Sequence, residues 1–439
     1  MSVRVGTTPR VITACAGAEL LRETARAVGL ESSVSQCLHP KDRARGLSEA
    51  QFVVSTAESI ALGARCLDDP AVARADLAPR ELRGYDVPAP QTAGAWLRRF
   101  SLGHVRQLDK ALEAVHRRAF SAMGPLTVTL DFDSTYVFSR STRRQGADRT
   151  YKRGDALHPL LCFEAATGVA VHARLRRGRS GPSTGIDSFV RETLRRAPPG
   201  VALRSRLDSG FYRARLLGQF EAAAVTYLCS VPLIPAITGP CTAIADEYWQ
   251  KCPDKDEREV AEFGYRMRSG GGFRRYIVKR IEIPAGGQLS LDTGAYRYWV
   301  LVTNDRERSA IELEREHRHK ADVESGMREL KSNVGLHALR KHGFMVNWAW
   351  LELVCLGHNL CRWTQYLGGL DGGRDGTTLR AKRLRYRYLV VPAMVVHGGA
   401  NSRCACPSAT RSSNASPRRS HDCNGYPHPP SPHGFPARA

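Results

Sequence analysis

Up to about Phe120, apolar residues recur every three or four positions, as in ESIALGARCL and HVRQLDKALEAVHRRAF. That period gathers them on one face of a helix, so the segment is expected to be helical. From Leu126 the period falls to two. LTVTLDFDSTYVF alternates apolar and polar residues, and HPLLCFEAATGVAVHARL reads as two strands joined through Ala165, Thr167 and Gly168. A helix from Ile186 to Arg196, a strand from Val201 to Leu207, a helix from Arg213 to Ala224 and a strand from Val225 to Val231 follow. Three early strands and then alternating helix and strand imply an α/β fold, a mixed sheet flanked by helices.

Between Pro232 and about Ala295 the alternation breaks. The segment is rich in Gly, Pro and charge, with short β-like stretches such as RRYIVKRIEI, and reads as an insertion with its own small sheet. YRYWVLVTN returns to a buried strand, and a long helix is expected from about Ile311 to Ser332. The most apolar stretch, Phe344 to Leu367, is interrupted by Asn347, Glu352, His358, Asn359 and Arg362. A buried core helix explains it better than a membrane span. Residues 371–397 read as a basic extension. From 398 the chain is dominated by Ser, Pro, Arg and His, a composition that buries too little apolar surface to order itself, and disorder is expected there.

At 439 residues the chain has room for two or three domains. Its charge adds what periodicity cannot. The 65 Lys and Arg against 43 Asp and Glu leave +22, with an isoelectric point near 9.9. Such a field attracts polyanions, nucleic acid first and an anionic membrane second. The N-terminus lacks the apolar run of a secretory signal. The twelve Cys are scattered without a repeated C-x-x-C pair, so neither a zinc ribbon nor a disulfide scaffold is indicated. Cys404, Cys406, Cys423, His421 and His428 match no standard zinc spacing. A reduced, cytoplasmic protein fits these features.

Three acidic positions carry candidate chemistry. Asp131 and Asp133 alternate on one strand and therefore share a face, where two carboxylates repel unless a cation, a proton or a donor intervenes. Asp208 stands in RSRLDSGFY, where a strand runs into Asp-Ser-Gly. Sites assemble at the carboxyl ends of strands in α/β sheets, and Gly210 lets another backbone come close. On a continuous helix, His317, Lys320, Glu324 and Lys331 would fall in one stripe about 60° wide. Val323, Met327, Leu330 and Val334 form an apolar stripe beside it. Two Mg²⁺ ions bridged by such carboxylates can serve phosphodiester chemistry, with ammonium groups as phosphate ligands.

These residues resemble a known family. The order of a strand Asp, then Asp-Ser-Gly-Phe at a strand end, then Glu-Leu-Lys closing a helix is similar to insertion-sequence transposases of the DDE class. It is most like the thirteen-eighty family within group 1 of the DDE transposases. The likeness runs through LDFDSTYV, HPLLCFEAATGVAVHARLRRG, LRSRLDSGFYRARLLGQFE, YWVLVTN and ADVESGMRELKSNVGLHALRKHGF, from about residue 15 to 370. The resemblance implies a ribonuclease-H-like core, at 121–231 and 296–370, interrupted by a β-rich insertion at 232–295 before the Glu. It implies Asp133, Asp208 and Glu324 as catalytic, metal-holding acids for two Mg²⁺ or Mn²⁺ ions. It also implies cleavage and strand transfer on double-stranded DNA, at the element's terminal inverted repeats and at target DNA, by a homodimer bridging two ends. His317 stands where relatives carry Tyr and Lys320 where they carry Arg; with Lys331 they are expected to contact DNA. Such a protein would be bacterial and nucleoid-associated when bound.

Residues 1–120 are expected to recognise the element ends. APQTAGAWLRRF places Thr92, Trp96, Arg98 and Arg99 on a short helix after a Pro-rich turn, like the recognition half of a helix-turn-helix. Two other readings compete with catalytic transposition. One is an inactive, DNA-binding descendant of a transposase. In the other, LDFDST is the D-x-D-x-T motif of haloacid-dehalogenase-like phosphatases, with Asp131 as nucleophile and Asp133 as general acid.

Overall fold

The computed structural model describes residues 11–405, except 75, 142, 254, 285, 287–292, 320, 340, 372–377 and 399–400; the side chains of 72, 73, 255, 256, 321–325, 397, 398 and 401–405 are also outside it. The N-terminal part holds β1 (Ile12–Thr13), α1 (Ala18–Ala27), α2 (Leu30–Cys37), α3 (Glu49–Leu62), α4 (Pro70–Arg74), α5 (Leu77–Arg83), α6 (Pro90–Arg98) and α7 (Leu102–Met123). Ser48 and Ser101 open α3 and α7 with capping boxes. Gly63 ends α3 in the left-handed conformation, so the helix stops short of the ARCL that periodicity had included.

Next come β2 (Thr127–Ser134), β3 (Val137–Phe138), β4 (Asp148–Arg149), β5 (Asp155–Leu157), β6 (Leu160–Glu164), β7 (Ala170–Arg174), α8 (Ile186–Leu194), β8 (Ala202–Leu207), α9 (Ala214–Ala222) and β9 (Thr226–Val231). The insertion contributes α10 (Pro235–Thr242), β10 (Gln250–Cys252), β11 (Lys255–Arg266) and β12 (Phe273–Glu282). The chain closes with β13 (Tyr296–Thr303), α11 (Ala310–Arg318), α12 (Ala321–Asn333), α13 (Phe344–Leu367), α14 (Ala381–Leu384), β14 (Ala393–Gly398) and β15 (Asn401–Ala405).

Among the described residues, nine strands form one mixed sheet in the order β10-β11-β12-β13-β9-β8-β2-β6-β7. Parallel β2, β8 and β9 make its centre. The fold is therefore the helix-flanked mixed α/β sheet expected from the sequence. The insertion does not make a sheet of its own. β13 pairs antiparallel with β9, Val300 opposite Val231, and β12, β11 and β10 continue outward from it. Pairing here removes an exposed edge from the parallel core, which local pattern cannot reveal.

Two further expectations change. The helix foreseen from Ile311 to Ser332 is two helices. Near the end of α11 the Glu316 carbonyl accepts a hydrogen bond from Arg206 Nη1 (2.9 Å) and, as a tight turn, from the His319 N–H (3.2 Å). Arg206, which lies on β8, thus ties the end of α11 to the central sheet. The start of the C-terminal segment is also ordered: β14 pairs with both β1 and β15, which corrects the disorder expected at 401–405. Residues 406–439, with Cys406, Cys423, His421 and His428, lie outside the described residues. The basic extension is anchored, since Arg385 donates to the Ile60 and Asn333 carbonyls (3.1 and 3.0 Å).

Helix α13 is buried along nearly its whole length, and Asn359 and His358 among its polar interruptions pin it to the sheet region. Asn359 bonds both the N–H and the carbonyl of Ala170 at 2.8 Å, and His358 Nε2 meets the Gly168 carbonyl at 2.8 Å. Buried polar groups of this kind must be satisfied, and satisfying them fixes register. Among the described residues no helix is long and apolar enough to cross a membrane. Burial lowers the pKa of His116 to about 3 and of His172 and His358 to about 4. The unfolded chain binds protons at these imidazoles near the ordinary pKa of about 6.5. The stability their neutral forms contribute is thus present above that value and lost as pH falls toward 4. We predict a falling urea midpoint between pH 6.5 and 4; a flat midpoint over that window would contradict these buried neutral histidines.

Candidate active site

Asp133 and Asp208 converge through strand register. In the parallel pair of β2 and β8, Asp131 lies opposite Arg206 and Phe132 opposite Leu207. The next position in each chain is Asp133 and Asp208, and Asp208 keeps an extended backbone (φ −81°, ψ 164°). Neighbouring strands lie about 4.8 Å apart, so the two aspartates stand side by side at the carboxyl edge. Phe211 is buried and its N–H bonds the Asp208 carbonyl (2.9 Å), holding the turn. A Cβ on Gly210 would come within 2.9 Å of the Pro182 ring, so the close neighbour there is a side chain and not the backbone expected. Asp133 is half-buried and accepts the Ser134 N–H at 2.6 Å, whereas Asp208 is exposed.

The alternation of strand side chains puts Asp131, Asp133, Arg206 and Asp208 on one face. Asp131 is fully buried, and its two oxygens take Arg206 Nε and Nη2, each at 2.6 Å. Since Arg206 also reaches the Glu316 carbonyl, this pair fastens α11 across the sheet. Asp131 is thereby a structural acid. A carboxylate so enclosed cannot serve as the nucleophile of the phosphatase reading, which fails on this geometry.

Helix α12 covers the same face. The backbone of Gly326 lies on Phe163, whose strand partner is Asp131, and Met327, Leu330 and Val334 are buried as the apolar stripe requires. Lys331 is half-buried near Asp133. Burial lowers its pKa, the Asp133 carboxylate opposes that shift, and Lys152 adds to it. Glu324 lies on α12 seven residues before Lys331. Two helical turns separate them, about 10 Å along one stripe. The side chains of Glu324 and Val323 lie outside the described atoms, and Lys320 outside the described residues.

His317 is placed differently from the stripe expected for it. Because α11 and α12 are separate helices, it does not share a continuous stripe with Glu324 and Lys331. Its Nε2 meets Ser230 Oγ (3.1 Å), and with Ser209, Lys279 and Trp299 it lines a cavity of about 400 Å³ beside Asp208. The N-terminal helix is corrected in part. α6 begins with Pro90, as expected, and Thr92, Arg98 and Arg99 are exposed. Trp96, however, is core: it stacks on Phe52 (4.9 Å) and meets Phe100 edge-on. Arg99 pairs with Asp42 at 3.0 Å in the open, a contact worth little.

Among the described residues, Asp109, His172 and Glu192 bring potential ligand atoms within 4.8 Å of one another. Arg196 and Arg174 already pair with the two carboxylates. His172 stacks on Phe189 (4.1 Å), which also packs against Phe132 on the opposite face from the acids. This group is an ion-pair network tying α7 to the core; sequence reasoning missed it because its members come from three distant segments.

A mixed sheet presenting paired carboxylates at its carboxyl edge, under a helix bearing Glu and Lys, defines a class of carboxylate-bearing α/β proteins. The sequence matches the family described as transposase DDE domain group 1 over residues 1–414, and the chain belongs to that family. No curated protein matches it. Among solved structures it is similar to a piggyBac transposase in a synaptic complex with hairpin DNA, determined by cryo-electron microscopy. The identity is 11%, covering 84% of this chain and 77% of that one, with a TM-score of 0.43.

Proposed function

We propose that the protein is a metal-dependent transposase that cleaves and joins DNA strands with Asp133, Asp208 and Glu324. The observation that carries this reading is the side-by-side position of Asp133 and Asp208 in a chain of the DDE family. An all-carboxylate donor set suits hard divalent cations such as Mg²⁺ or Mn²⁺, and the three acids would hold them. When bound, two such ions supply activation of a water or 3′-hydroxyl and stabilisation of the leaving oxygen. The chain's own groups position the substrate. Lys331 neutralises a phosphate beside Asp133, Lys320 adds charge, and Arg206 keeps Asp131 from the reacting centre while fixing α11. The proposed substrates are the element's terminal inverted repeats and target DNA, engaged by a homodimer in the bacterial cytoplasm. Strand cleavage of an end duplex with Mg²⁺ tests the reading; no cutting under conditions where the duplex is bound leaves a DNA-binding descendant instead.

The exposed edge of α6 is proposed to read the element ends, through Arg98 and Arg99 and without Trp96. Arg98→Ala and Arg99→Ala are each expected to weaken binding to the terminal repeats by about tenfold, in the range of a base contact, and binding to random duplex by less. Equal losses on both duplexes would reduce α6 to a phosphate-binding patch.

A further inference from the structure

Directly after Ser134 the chain leaves the main sheet to form a small one, ordered β3-β5-β4. It is firmly seated: a Cβ on Gly178 would come within 2.0 Å of the Ala156 carbonyl oxygen and 2.5 Å of that of Asp148. His158 fixes it to the end of β2 through Ser134 Oγ (3.1 Å) and backs the Tyr136 ring, stacked at 4.1 Å. Outside that backing the aromatic surface opens to solvent. Tyr151 is 79% exposed and Phe138 is 53% exposed. Tyr136 meets Tyr151 edge-on at 5.8 Å and lies 6.2 Å from Phe138. The Thr150 N–H to Gly154 carbonyl bond (3.0 Å) closes the turn that presents Tyr151, Lys152 and Arg153.

The surroundings are basic. From Ser134 to His158 the sequence carries Arg140, Arg143, Arg144, Arg149, Lys152 and Arg153 against Asp148 and Asp155. Asp148 is already engaged by Arg177 at 3.1 Å. Lys152 Nζ lies 5.9 Å from the Tyr136 ring centre and 5.7 Å from that of Tyr151, and its charge is felt at Lys331 beside Asp133. The surface therefore borders the acidic edge itself. Exposed rings have nothing to stack on in an intact duplex, whose base faces are covered by neighbours. An unpaired base offers its face, and its backbone offers the phosphates that the cations need.

We propose that the β3-β5-β4 sheet is a binding platform for single-stranded DNA, on which Tyr151 and Phe138 stack unpaired bases next to Asp133. This reading goes beyond the cleavage assignment and is tested without cleavage. The full chain is titrated in EDTA against a labelled short oligo(dT) and against a duplex of equal length, with binding read by fluorescence anisotropy. Tyr151→Ala is expected to weaken oligo(dT) binding by about tenfold, the effect of one lost stacked base, and duplex binding by less than about twofold. Tyr151→Phe should retain wild-type affinity, because it keeps the ring face. The ring is mostly in solvent, so the melting temperature should not move. Unchanged oligo(dT) affinity in a Phe138→Ala/Tyr151→Ala double variant, or equal losses on oligo(dT) and duplex, overturns the platform. Neither outcome touches the acids, whose assignment stands or falls on cleavage by Asp133→Asn and Asp208→Asn.

Discussion

Asp133→Asn, Asp208→Asn and Glu324→Gln should each lower Mg²⁺-dependent cleavage of an end duplex by about a thousandfold or more, while duplex binding survives. Each amide keeps the shape and hydrogen bonding of the acid it replaces but loses the charge that holds a divalent ion. Asp133 and Asp208 stand one position beyond the Phe132–Leu207 pair of parallel strands, so they face the same small volume. Groups that act as one unit show grossly non-additive losses. The Asp133→Asn/Asp208→Asn double variant should therefore be scarcely worse than either single one. Losses that multiplied in the double variant would show two acids working independently and would break the shared-site account. Lys331→Ala should act differently, weakening substrate retention more than the chemical step, since its ammonium is a point-charge phosphate ligand.

The second large effect is on stability. Asp131→Asn should cost about 3–5 kcal/mol, because it leaves the Arg206 guanidinium as an uncompensated buried charge. Asp131 has no exposure and Arg206 is 4% exposed, and both bonds between them measure 2.6 Å. Replacing the pair together, as Asp131→Leu/Arg206→Met, should recover much of that loss, since apolar isosteres of buried pairs are often neutral. Chemical denaturation of the two variants separates the readings. A single Asp131→Asn variant that unfolds at the wild-type midpoint would mean the pair does not fasten the sheet. Conversely, a stable Asp131→Asn protein without cleavage activity would move Asp131 into the site itself.

Much of this arrangement was legible in the residues. Period-two alternation marked β2, the apolar runs of HPLLCFEAATGVAVHARL marked β6 and β7, and Asp208 at a strand end was placed by the transition from an alternating strand to Asp-Ser-Gly. What local pattern could not show were pairings across long separations. Asp131 and Asp133 look alike in LDFDST, and only Arg206, 75 positions on, makes one of them structural. The same arginine bonds the Glu316 carbonyl near the end of α11, and the division into α11 and α12 takes His317 off the Glu324 stripe. Trp96 reads as a surface aromatic in a basic segment until Phe52 is seen stacked upon it. The insertion reads as independent because β9's open edge is a property of the assembled sheet. The exposed ring of Phe138 is hidden in the sequence for the opposite reason: alternation in STYVF suggests packing, and exposure is decided by tertiary structure.

The most direct test of the central claim is a Mn²⁺ titration of the protein bound to an end duplex, followed by electron paramagnetic resonance of the free ion. The wild-type complex is predicted to take up Mn²⁺ beyond what the duplex alone binds. Asp133→Asn and Asp208→Asn should each remove that uptake, and Arg98→Ala, far from the acids in the sequence, should retain it once the duplex is saturated. Wild-type uptake in both aspartate variants would contradict the assignment of Asp133 and Asp208 as the acids that hold the metal.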